Sequence, residues 1–122
     1  MNKEKYTNPN YKPDNNTITE LEELNSQKED LSNFHLNHAN LEKINLVGAK
    51  MKQSNLSRAN LRNSSMYGVN LNGANLFKAD FENANLNNAD LRNCNLLGAN
   101  LSNTKLKNIN WDKDFKVINE IE

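Results

Sequence analysis

Residues 69–103 read VNLNG ANLFK ADFEN ANLNN ADLRN CNLLG ANLSN, seven quintets whose third residue is always large and apolar and whose first is Ala in five. The same frame runs outward without a break from EDLSN at 29–33 to INWDK at 109–113, 17 quintets in all. Leu fills 13 of the third positions, and Met51, Met66, Phe81 and Trp111 fill the others. The first position is mostly small, as at Ala39, Ala49, Ser54, Ala59 and Ser64, and the second is mostly Asn or Asp. A helix turns about 100° per residue, so a period of five carries each Leu about 140° round the axis and leaves no apolar face to bury. A strand points the small residue and the Leu two later to one side, but the next small residue follows three later and would point outward. Both patterns are reconciled when each quintet is a short extended piece and the chain bends at every junction. The small and large residues then all face one axis, which describes a solenoid. Asn, Asp and Gly suit such bends because they bond their own backbone or accept unusual dihedrals, as at Gly48, Gly68, Gly73 and Gly98.

The 122 residues are 36% hydrophobic and 25% charged, a size for one domain. About a fifth are Asn, a composition that suits disorder, but the apolar residues are too regularly placed for that. No stretch approaches the roughly 18–20 apolar residues of a membrane-spanning helix, and MNKEKYTNPNYKPDNN has no apolar run behind its charges. A lone Cys94 forms no internal disulfide and no paired-cysteine zinc motif is present, so a cytoplasmic protein is expected. The formal charge of zero hides a division: residues 1–30 sum to −3, residues 31–113 to +5 and residues 114–122 to −2. Surface electrostatics therefore belong to a mildly basic middle.

The quintets ANLRN, ANLFK, ADFEN, ANLNN, ADLRN and ANLSN resemble the A-(D/N)-L-X-X pattern of the pentapeptide-repeat family, over about 85 of 122 residues. The resemblance implies an all-β fold, a right-handed quadrilateral β-helix with four quintets per coil and about four coils over 29–113. Departures are local. Glu29 and Phe34 replace the small residue at the start, Thr104 and Ile109 replace it at the end, and His35, Lys50, Ser65 and Lys105 replace the Asn or Asp. Atypical units are expected at the ends of repeat arrays. With a coil of twenty, residues twenty apart stack at about 4.8 Å, and each buried apolar side chain contributes roughly 1.5–3 kcal/mol before conformational entropy.

A stack of coils exposes unpaired backbone at both ends, and both flanks look suited to covering it. Residues 17–28 contain ITELEELNSQ, with Ile18, Leu21 and Leu24 apolar and a Thr19-x-x-Glu22 capping-box spacing, which predicts a short helical cap. Residues 114–122 read DFKVINEIE, with Asp114 as a helix N-cap and Phe115, Val117, Ile118 and Ile121 as apolar contacts. Some family members dimerise through a C-terminal element, so the resemblance allows these four residues to be a homodimer seam or a monomeric cap. Residues 1–16, with Pro9, Pro13 and polar filler, read as a mobile tail.

An axis filled with Leu and Ala offers no interior cleft for titratable groups, so any chemistry belongs outside and an enzyme is not expected. Cys94 occupies an inward slot held by Ala in neighbouring quintets, which makes it a packing residue rather than a nucleophile. His35 and His38 are too few for a metal site or a triad, and no phosphate-cradling loop is present, so no cofactor is implied. The two residues after each Leu project outward. Glu42, Arg62, Glu82 and Ser102 form a column of alternating charge, which solvent screens. One face stacks Phe77 on Leu97 beside Arg58 and Lys78, and the opposite face stacks Tyr67 on Val47. These are the candidate contacts of a protein partner, and the leading reading is a non-catalytic scaffold or binding module. The alternative, also implied by the resemblance, is a topoisomerase-protection protein that imitates DNA and so confers quinolone resistance. DNA carries about one charge per 1.7 Å, so a rod of roughly 20 Å would need about a dozen acids. Residues 31–113 have five and are net basic, and their five surplus charges spread around the rod make no stripe for nucleic acid either.

Overall fold

The computed structural model describes residues 3–112. From Asp30 to Asn110 the chain stacks on itself with a shift of twenty residues: 13 parallel bridges each join a residue to the one twenty later, from Asp30–Lys50 to Asp90–Asn110. Four quintets therefore bring the backbone back over itself. The extended pieces expected from the quintet pattern shrink to a single bridged residue each. The reason is that the turn takes the other four. In most quintets the first residue donates its N–H to the carbonyl of the large apolar residue three earlier, as Ala79 does to Leu76 at 3.0 Å.

The residue two after each Leu is left-handed in every unit from Lys28 to Asn108, with φ between 55° and 77°. Only the second central residue of each turn has positive φ, the signature of a type II β-turn. Gly fills that position at Gly48, Gly68, Gly73 and Gly98 and Asn at seven others, including Asn83 and Asn93. Lys28, His38, Lys43, Gln53, Arg58 and Lys78 hold the same conformation, which costs a non-glycine residue roughly 1–2 kcal/mol.

The quintet Ala74–Lys78 shows why the wall is stable although it contains almost no strand. Ala74 N–H donates to Leu71 O (2.9 Å), Asn75 to Ser54 O (2.9 Å), Leu76 to Asn95 O (2.8 Å) and Lys78 to Leu97 O (2.9 Å). The remaining donor, Phe77 N–H, is taken by the Asn75 side chain at 3.1 Å. All five backbone donors are thus satisfied, two toward the following coil, one toward the preceding coil and two within the turn. The Asx bond to the residue two later recurs at 12 of the second positions, from Asp30 to Asn100. Lys50 and Lys105 cannot accept it. There the side chain one coil below substitutes: Ser32 Oγ accepts from Lys52 N–H (3.0 Å) and Asn87 Oδ1 from Lys107 N–H (2.8 Å).

The third-position residues from Leu31 to Leu96 are all buried, with mostly Ala, Ser or Cys, and Phe34, Ile44 and Val69, packed between them. Cys94 lies in this interior, where its thiol donates to Leu71 O at 2.9 Å and burial pushes its pKa up to about 12. Such a thiol is un-ionised at neutral pH and poorly nucleophilic.

Residues 3–16 correct the reading of a mobile tail. Tyr6, in a 3-10 turn Glu4–Thr7, is completely buried and stacks on Phe34 with ring centroids 4.8 Å apart and planes at 16°. Tyr11 meets its edge at 4.8 Å, and Lys3 pairs with Glu29 at 3.1 Å. A Phe is accommodated at the small position of the first coil because a tyrosine, not another coil, lies against it. Helix α1, Thr17–Ser26, follows, burying Leu21 and Leu24. Its start differs from the capping-box expectation: Asn16 is the N-cap and makes no side-chain cap bond. Glu22 reaches away from its own helix and accepts the N–H of Asn45 at 2.8 Å, while Asn25 Nδ2 donates to Val47 O at 3.0 Å. With Tyr6 O accepting His35 N–H at 2.7 Å, the N-terminal segment supplies the edge partners that a preceding coil would have supplied. The expected C-terminal element at 114–122, with Asp114, Phe115, Val117, Ile118 and Ile121, lies outside the described residues. No helix among the described residues is long and apolar enough to cross a membrane.

Candidate functional site

The turn geometry decides which side chains face solvent, because the two residues after each Leu form the turn's outer corner. Residues twenty apart therefore align in columns along the rod, with backbones hydrogen-bonded to one another. Arg58 N–H donates to Phe77 O at 2.7 Å and Lys78 N–H to Leu97 O at 2.9 Å. This places Arg58, Phe77, Lys78 and Leu97 on one edge. The Arg58 guanidinium carbon and the Lys78 ammonium nitrogen each lie 5.3 Å from the Phe77 ring centroid. Phe77 is half-buried under these cations, and Leu97 beside it is 58% exposed. Neither cation has an ion-pair partner among the described residues.

Val47 and Tyr67, each 45% exposed, stand on the opposite side in the same register. Their surroundings differ from those of Phe77. Tyr67 OH accepts from Asn88 Nδ2 at 2.5 Å. Val47 lies against the end of α1, lining a small surface cavity of about 300 Å³ with Asn25, Ser26, Lys28 and Glu29. The charged column is an ion-pair cluster around Arg62, which meets Glu82 at 2.5 Å and Asp80 at 3.0 Å. Further along, Arg92 grips Asp90 through two nitrogens at 2.7 and 3.0 Å and holds its carboxyl below the usual range.

Near the N-terminal end, Tyr11, Lys12, Asp14, Asn37 and His38 line an open cavity of about 500 Å³ between the N-terminal segment and the first coil. His38 heads the column that continues through Arg58 and Lys78. Sequence reasoning missed this groove because residues 1–16 were read as unstructured, and the available signal was the pair Tyr6 and Tyr11 ahead of the repeats. His35 and His38 do not converge: His35 is fixed by its backbone under Tyr6, and His38 faces the groove. Among the described residues no three His, Cys, Asp or Glu side chains gather as a metal site requires.

The family model for pentapeptide repeats matches in eight copies, over residues 30–63, 39–76 and 74–110. The fold is similar to that of a pentapeptide repeat protein, Rfr23, from the cyanobacterium Cyanothece 51142, at 44% identity and a TM-score of 0.68. That match covers 70% of this chain and 58% of the other. HetL from Nostoc sp. strain PCC 7120, a pentapeptide repeat protein involved in heterocyst differentiation regulation, is 33% identical with a TM-score of 0.64, over 67% of this chain and 38% of its own. A third, alr5209 from Nostoc PCC 7120, is 29% identical with a TM-score of 0.66 and is matched over 84% of this chain and 88% of its own. The chain thus spans less than two thirds of the length of the first two. No curated protein matches it.

Proposed function

The chain belongs to the pentapeptide-repeat family, and on that premise we propose that it is a non-catalytic binding module, a right-handed four-sided β-helix of about four coils that presents rigid faces to a protein partner in the cytoplasm. The observation that carries this reading is the filled axis. The inward positions from Leu31 to Leu96 are buried apolar or small residues, so the groups able to meet another molecule are on the outside. The one thiol is enclosed and held protonated. Outside, the edge at Phe77 offers what protein interfaces favour, an aromatic ring and an Arg beside exposed aliphatic surface. Its backbone is fixed by bonds to two neighbouring coils, so little ordering cost is left for binding. HetL, whose fold this chain resembles, is a pentapeptide repeat protein involved in heterocyst differentiation regulation.

The test is capture from a lysate of the source cells on immobilised protein, wild type against a variant carrying Phe77→Ser and Arg58→Ala. The expected outcome is a specific captured protein that the variant loses while its circular dichroism stays that of the parent. Capture that survives both changes assigns the work to another face. Absence of any specifically captured protein removes the binding-module reading.

A further inference from the structure

We propose that the edge running from the His38 groove through Arg58 and Lys78 to Leu97 receives an acidic protein segment carrying one large apolar anchor. This rests on the binding-module reading above and names the chemistry of the partner. The first support is charge. Arg58 and Lys78 have no ion-pair partner among the described residues, and neither does Lys12 in the groove at the head of the same edge. Acids that could have neutralised them are engaged elsewhere: Asp80 and Glu82 bond Arg62, and Asp90 bonds Arg92. The Asp14 carboxylate, which does line the groove, is turned to the N–H of Asn16 at 2.9 Å.

The second support is where the cations stand. His38, Arg58 and Lys78 occupy three successive left-handed positions of one column, with φ of 64°, 59° and 55°. The columns beside it place Asn or Gly at most of these positions, as at Asn33, Gly73, Asn63 and Asn83. Long side chains are a costly choice for such a turn, and these three, of which Arg58 and Lys78 are the cations, follow one another at intervals of about 4.8 Å along the rod. The third support is the apolar pair between and beyond the cations. Phe77 lies under both of them, and Leu97 continues the surface past the last cation. A phosphate backbone would gain little from Leu97 and would need a longer track of cations than this edge has. Carboxylates flanking an aromatic or aliphatic side chain match it: the acids bond Arg58 and Lys78, and the anchor packs on Leu97 and the open edge of Phe77.

The experiment is selection of a displayed random 12-residue peptide library against the full chain, with no lysate involved. The expected result is enrichment of peptides with two or more Asp or Glu around a Phe, Leu, Ile or Trp. A synthetic peptide of the enriched sequence should bind at least tenfold more weakly to the double variant Arg58→Glu, Lys78→Glu and to Leu97→Ser, and unchanged to Tyr67→Ser. Binding should also weaken at least fivefold between 50 and 500 mM salt. No enrichment, enrichment without acids, or indifference to the charge reversal overturns the proposal. Displacement of the peptide by a single-stranded 20-nucleotide DNA at equal concentration would assign the edge to nucleic acid and overturn it as well. Partner capture that depends on Tyr67 and not on Arg58 would sink this assignment while leaving the binding-module reading in place.

Discussion

The first coil and the last described coil are built from the same quintets yet differ in how completely the described residues close them. In the first, Leu31, Phe34 and Leu36 are buried because Tyr6 and α1 lie across them and supply the backbone partners of His35, Asn45 and Val47. In the last, Leu101, Leu106 and Ile109 are only partly buried and Trp111 is 36% exposed. The contrast shows that a quintet does not bury its own Leu. Burial comes from having a neighbour on both sides, and at the N-terminal end a non-repeating segment acts as that neighbour.

The strongest way to break this comparison is a matched pair of truncations. Leu61→Ala, between two complete coils, is expected to cost about 3–4 kcal/mol, and Leu106→Ala about half of that, read from denaturant midpoints by circular dichroism. Equal losses would mean that position along the rod does not matter. The next effect in size is Tyr6→Ala. It removes the ring stacked on Phe34 and is expected to loosen the N-terminal end by about 2–3 kcal/mol, a loss seen by amide exchange at His35 and Asn45 while the amides of Leu61 and Met66 keep their protection. Uniform loss of protection would show that the end segment and the rod unfold as one unit.

The smallest effect is on pH. Lys5 and the Tyr6 hydroxyl both bond Glu20 and hold its carboxyl below the usual range, Lys5 contributing most. A group whose pKa is depressed in the folded state adds stability above its unfolded value, and that contribution is lost as pH falls through the folded one. The pair is partly solvent-exposed, so the loss should stay below about 1 kcal/mol. Acidification below about pH 4 should lower the exchange protection of His35 relative to its intrinsic rate, and Glu20→Gln should remove that pH-dependent part. Asp90, held low by Arg92, adds a similar acid sensitivity nearer the other end, which the variant leaves untouched. Identical acid responses in parent and variant would discount Glu20.

Much of the rod was legible because its signal is periodic: one large residue in every five, a small one two before it and an Asx between leave no alternative to a bend at each junction. The Asx bonds follow from residue type alone, as at Asn75. The left-handed turn position was legible only where Gly or Asn stands, since Lys28, His38 and Arg58 are not residues that announce positive φ. The N-terminal segment was misread for a related reason. Pro9 and Pro13 and scattered polar residues carry no period, and the burial of Tyr6 depends on Phe34, a contact 28 positions away in the chain. Glu22 was expected to close its own helix, but the unpaired Asn45 N–H of the first coil is a stronger claimant for its carboxylate. The Phe77 edge could be anticipated from a spacing of twenty, whereas the groove at its head could not, because Lys12 joins it from outside the repeats.

Because five consecutive residues satisfy all of their own donors, as Ala74–Lys78 do, the molecule has a natural unit of growth. An insertion that is not a multiple of five would put a leucine in solvent somewhere downstream. A spare quintet placed between Arg58 and Phe77 would leave the wall intact but rotate every later side chain onto the adjoining side, parting the ring from its guanidinium. Lengthening by twenty would be silent in shape and would only space the two apart. Genetic duplication can thus vary what this rod displays without renegotiating how it folds.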